Sequence, residues 1–134
     1  MVRARIAVRD IPSGLGAHLD RVWQFVREAG FVTNHNVFVY HWDEGPPPLV
    51  EFGVQVDRAF DGNGEVECSS TPGGTVATAT HVGPYDQLGV TNDAVQQFCR
   101  EHGHATAATN WEVYGDWDDD PAKLETVVYQ LLRA

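Results

Sequence analysis

The run Trp111-Glu112-Val113-Tyr114 sets a carboxylate between aromatic residues in a segment that alternates like a β-strand. On a strand, Glu112 and Tyr114 share one face, while Trp111 and Val113 take the other. An earlier segment behaves alike. In Val37 to Trp42, residues Phe38, Tyr40 and Trp42 point one way and Val37, Val39 and His41 the other. A carboxylate on a concave, aromatic-lined surface is suited to a cation, because ring faces attract positive charge and the carboxylate supplies the ion pair. The same group can serve as a general acid or base. Each reading has a plainer rival. A lone strand glutamate usually sits on an exposed edge or pairs with an arginine, and for each aromatic ring core packing is as common as ligand contact. Trp111, turned away from Glu112, reads as core.

Other reactive residues carry less. His102-Gly103-His104 has no third metal ligand at a familiar spacing, and His81, on a strand with Ala77 and Ala79, reads as structural. Asp116, Asp118 and Asp120 imitate the opening of a calcium loop, but Pro121 and Val127 stand where such a loop needs glycine and glutamate. Cys68 and Cys99 form no metal-type or redox pair, and Cys99 reads as a buried free thiol. No phosphate loop or Ser-His-Asp order stands out. Neither a metal nor a cofactor is expected.

Charge narrows the partners. The 134 residues hold 19 acidic and 9 basic side chains, a formal net charge of −10. No two basic residues are adjacent, so the basic stripe that displaces phosphate counterions is missing and direct nucleic-acid binding is not expected. No apolar run approaches the roughly 18 residues of a membrane span, and the N-terminus lacks a signal-peptide core. A cytoplasmic protein without membrane association is expected, its oligomeric state open.

These residues are positioned by elements that repeat. At an offset of 73, Leu15 to Gly30 falls on Leu88 to Gly103 with nine identities in sixteen positions, where background composition gives roughly one. With one residue inserted, Val39-Tyr40 meets Val113-Tyr114, Glu51 meets Glu125, and Glu112 replaces Phe38. The pattern predicts a duplicated half-domain, with first repeat 3–58 and second repeat 74–133 inside one domain, 1–134.

Each half reads as strand, helix, strand, strand. In the first, Ile6 and Val8 alternate with Arg5, Ala7 and Arg9; Leu15, Leu19, Val22, Trp23 and Val26 follow helical spacing, and Gly30 ends that helix. Asn36 to Trp42 and Leu49 to Val56 are strands, and an Asp61-Gly62-Asn63-Gly64 loop follows. In the second half, Val76 to Val82 is a strand broken by Gly83-Pro84. Leu88, Val95, Phe98 and Cys99 line a helix that stops at Gly103, and Trp111 to Trp117 and Leu124 to Leu132 complete the set. The expectation is an α+β domain: an antiparallel sheet of about eight strands, two helices on one face, and a ligand groove between the repeats.

Thr75-Val76-Ala77, His81-Val82-Gly83-Pro84-Tyr85, a helix, Glu112-Val113-Tyr114 and an Asp-Asp-Asp-Pro turn, in that order, resemble the GyrI-like family. Val50 to Val56 resembles the strand closing that family's first repeat. The family includes effector-binding domains of multidrug-responsive activators, stand-alone gyrase inhibitors and hydrolases of cyclopropane-bearing alkylators. The resemblance implies that Glu112 faces a cationic aromatic ligand, that Tyr85 and Tyr129 help line the pocket, and that Tyr40 and Tyr114 are corresponding wall residues beside Phe38 and Trp42. This chain departs from the regulators in having no helix-turn-helix segment, so a complete transcription factor is not expected. The first expectation is therefore a stand-alone module that captures amphipathic aromatic, cationic compounds. The second is a hydrolase that opens strained cyclopropane rings, with Glu112 as its catalytic residue. The third is a gyrase-inhibitor-like module that meets a protein partner through Asp116 to Asp120.

Overall fold

A computed structural model describes the backbone of residues 1–5 and 11–133 and the side chains of residues 1–3 and 17–133. The chain divides into two units, Met1–Thr71 and Pro72–Ala134. In the first, strand β1 (Val2–Arg5) precedes helix α1 (Ile11–Ala29), followed by β2 (Thr33–His41) and β3 (Leu49–Val56). Strand β3 is central, antiparallel to both β1 and β2. In the second unit, β4 (Val76–Val82), α2 (Leu88–Glu101), β5 (Thr106–Tyr114) and β6 (Glu125–Leu132) follow in the same element order, with β6 central and antiparallel to β4 and β5.

Both helices stop where a left-handed residue is required. Gly30 has φ +74 and Gly103 φ +71, conformations that a side chain strains and glycine adopts freely. Helix α1 packs on β1 and β3, and α2 on β4 and β6, so each helix covers strands of its own unit. The face of α1 that turns inward carries Val22 and Val26, both buried, as the helical spacing predicts. Phe52 on β3 is fully buried, its ring parallel to His18 at 5.0 Å and edge-on to Phe38 at 5.1 Å. In the second unit, Leu88, Val95 and Cys99 of α2 close over Ala77 and Val128. Both cysteines are free, Cys99 buried and Cys68 exposed.

Several expectations change. Six strands occur among the described residues, three in each half, and not the expected eight. The chain between β3 and β4 makes no ladder, being rich in Gly, Ser and Pro; Asn63 Oδ1 instead accepts from the Glu65 and Val66 amides, a local turn that competes with strand pairing. The alternation through Ile6 and Val8 lies outside the described residues, as does the side chain of Leu15. Strand β5 begins five residues before Trp111 and stops at Tyr114. There Gly115 turns the chain so tightly that a Cβ would stand 2.9 Å from the Glu125 carbonyl. Trp117 is left exposed. Phe98 is half-exposed and stacks on His102 at 4.2 Å, because the residue before Cys99 lies on the flank of the helical stripe.

The ladders also revise the alignment of the halves. Tyr40 pairs with Val50, whereas Tyr114 pairs with Thr126, so the second hairpin holds two more residues. Glu51 lies opposite Val39, and the position opposite Val113 is Val127, not Glu125. Near the start of β5 the register shifts between Thr106 and Asn110. The buried Gln130 side chain satisfies this irregular backbone, donating to the Ala107 and Thr109 carbonyls at 2.9 and 3.2 Å. Among the described residues no helix is long and apolar enough to cross a membrane.

Candidate ligand-binding site

Glu112 projects from β5 onto the face that α2 covers, and only 4% of its surface is exposed. Among the groups that hold its carboxylate, the Tyr114 hydroxyl donates to Oε1 at 2.9 Å and Asn92 Nδ2 to Oε2 at 3.1 Å. Asn92 also donates to the Leu88 carbonyl one helical turn back, which fixes its amide orientation. A carboxylate this deep is strongly disfavoured without such donors, so the cluster orients it and stabilises its charge together.

Tyr85 completes the group. It opens a short 3₁₀ turn, Tyr85–Gln87, and packs edge-on to Tyr114 with ring centroids 5.3 Å apart. Burial raises the pKa of its phenol above the ordinary tyrosine value, so the group stays a protonated donor through the neutral range. The ring is also part-exposed, which leaves an aromatic surface beside the carboxylate in reach of solvent.

His81, buried on β4, ties these parts together. Its Nε2 lies 2.9 Å from the Pro84 carbonyl and its Nδ1 2.7 Å from Thr91 Oγ1. A carbonyl only accepts, so Nε2 carries a proton and donates to Pro84, while Nδ1 meets the Thr91 hydroxyl. One ring thus links the residue before Tyr85 to the residue before Asn92. Replacing His81 with Leu leaves the Pro84 carbonyl and the Thr91 hydroxyl without that partner. Stability is expected to fall by about 2–3 kcal/mol, read from the urea midpoint. His81→Gln should recover part of the loss.

The other sequence-selected residues divide. Phe38 and Tyr40 share the α1 side of β2 with Phe52, both buried, and Trp42 follows the strand end, 37% exposed. Tyr129 does not join Glu112. It pairs with Trp111 across the β5–β6 ladder and stacks on it at 5.4 Å, on the face opposite the helix. Trp111 is buried there, facing away from Glu112 as its alternation predicts. The acidic turn uses its carboxylates internally: Asp118 Oδ1 accepts from the Asp120 amide and Asp120 Oδ1 from the Ala122 amide.

Asn92 escaped sequence reasoning, although a signal exists. The repeat places Leu19 at the matching position, so Asn92 is a second polar residue standing where the first half is apolar, beside Glu112 for Phe38.

Two solved structures share this fold. The chain is 22% identical to the EcmrR C-terminal domain, with a TM-score of 0.83, covering 98% of this chain and 88% of that one. A cryo-EM structure of an EcmrR–DNA complex aligns with a TM-score of 0.76 at 22% identity, over 90% of this chain and 49% of that one. No curated protein matches the chain. The family model described as the GyrI-like small molecule binding domain matches residues 7–132.

Proposed function

The chain belongs to the GyrI-like family of small-molecule-binding domains, and we propose that it captures amphipathic aromatic cations with Glu112 as the charge-recognising group. One observation carries this reading: a carboxylate buried to 4% exposure, gripped by neutral Asn92 and Tyr114, beside the part-exposed ring of Tyr85. A cation over such a ring gains about 0.5–2 kcal/mol per aromatic face, most where water is excluded. The carboxylate adds an ion pair at shorter range than surface charges achieve, because little solvent screens it. In this reading Tyr129 serves the Trp111 stack and touches no ligand.

A thermal-shift series tests the proposal, with lipophilic aromatic cations each paired with an uncharged analogue of the same shape. A ligand held at a hundred times its Kd stabilises the folded state by about 2.7 kcal/mol, so true ligands should raise Tm by several degrees and their uncharged analogues by less. Equal response to both members of every pair, or none at millimolar concentration, would overturn the reading.

A further inference from the structure

The outer face of the first unit carries a further mismatch between corresponding positions of the two units. On β3, Glu51, Gly53 and Gln55 alternate with Phe52 and Val54, so Glu51 points away from α1, to the side of Val37 and Val39. The ladder position that matches Glu51 in the second unit is Val127. A carboxylate therefore stands where the other half has an apolar residue, the same kind of exchange that marks Glu112.

Glu51 is only 5% exposed and is held from three segments. Ser69 Oγ donates to Oε1 at 2.7 Å, His41 Nε2 lies 2.6 Å from Oε2, and Arg3 Nε stands 3.6 Å from Oε1. Glu51 is thus a buried charge on a mixed strand face that also carries His41 and Gln55, and its three partners offset the cost of removing it from water. Beside it lies a cavity of about 390 Å³, lined by Val37, Val39 and Gly53 on the strands and by Cys68, Ser69 and Ser70 on the loop. That volume is within the range of about 300–1,000 Å³ typical of small-molecule sites. The rest of its lining includes Asp57 and Glu67 against Arg58, which is already paired with Asp57 at 3.0 Å, and Met1, whose ammonium donates to the Glu67 carbonyl at 2.7 Å.

We propose that this cavity is a second small-molecule site, separate from the Glu112 cluster, that takes compact organic ammonium ions. Val37 and Val39 receive the hydrocarbon part, and the ammonium donates to Glu51. A carboxylate offers about four lone-pair positions, enough for a ligand N–H alongside the donors already in place.

Cys68 provides the readout, because its exposed thiol lines the cavity while Cys99 is buried and serves as an internal blank. The rate of Cys68 alkylation by iodoacetamide is followed by mass spectrometry with benzylammonium or with benzyl alcohol. Saturating benzylammonium is expected to slow alkylation about tenfold, as 90% occupancy would, and benzyl alcohol to slow it far less. Glu51→Gln should abolish the benzylammonium effect, and Glu112→Gln should leave it intact. Ser70→Trp, filling the cavity from an exposed position, should also abolish it and covers the case in which Glu51→Gln fails to fold. No slowing in the wild type, equal slowing by benzyl alcohol, or slowing that survives in a folded Glu51→Gln or Ser70→Trp protein would overturn the proposal.

Discussion

Glu112→Gln is expected to lower affinity for lipophilic aromatic cations by a factor on the order of 30, about 2 kcal/mol, while uncharged analogues bind nearly as before. The substitution removes charge and preserves shape. Glutamine Oε1 can still accept from Asn92 Nδ2, and its Nε2 can donate to the Tyr114 hydroxyl oxygen, so the cluster keeps its geometry at a cost of about 1 kcal/mol in stability. Isothermal titration of one cation and its uncharged analogue against both proteins measures the effect directly. An equal loss for both ligands would mean that the side chain shapes the site without reading charge. A cyclopropane alkylator consumed by the wild type and spared by Glu112→Gln would assign catalysis to the same carboxylate.

Much of this cluster was legible before any coordinates. Period-two alternation put Glu112 and Tyr114 on one face and Trp111 on the other, and the structure keeps all three there. The limits of β3 and β4 and the glycine stops of both helices were equally readable, because each depends on local chemistry: β-branched alternation, a Gly-Pro break, and a residue free to adopt positive φ. What failed depends on non-local information. Tyr129 was joined to Glu112 by resemblance alone, and only the β5–β6 register shows that it pairs with Trp111. The same register moves the counterpart of Glu51 from Glu125 to Val127, since sequence matching cannot see a hairpin lengthen when its turn is unlike its partner's. The expectation of about eight strands exceeds what two strand-helix-strand-strand halves supply, and the six strands those halves name are the six that form. Periodicity places Phe98 on one side of α2 with Leu88, Val95 and Cys99, but its ring, on the flank of that stripe, stacks on His102.

Phe52→Ala should be the most destabilising of these substitutions, at about 3–5 kcal/mol. Phe52 is fully buried on the central strand of the first unit, with Val2 and Phe38 as its ladder neighbours on either side. Truncation removes its transfer free energy and leaves a cavity between β3 and α1 that only backbone movement could close. It also strips the stacked partner from His18 and the edge-on partner from Phe38. Set against a total stability of about 5–15 kcal/mol for a domain of this kind, the loss is large enough to unfold a measurable fraction at physiological temperature. Urea denaturation should show the midpoint falling sharply with an unchanged slope, the signature of lost stability without a changed denatured state. Trp117→Ala is the contrast, since that ring is 72% exposed and its removal should cost no more than about 0.5 kcal/mol. Similar losses from the two substitutions would mean that Phe52 is not the keystone of the first unit's core. A drop confined to Phe52→Ala would place the stability of the first unit in the α1–β3 contact that also backs the Glu51 face.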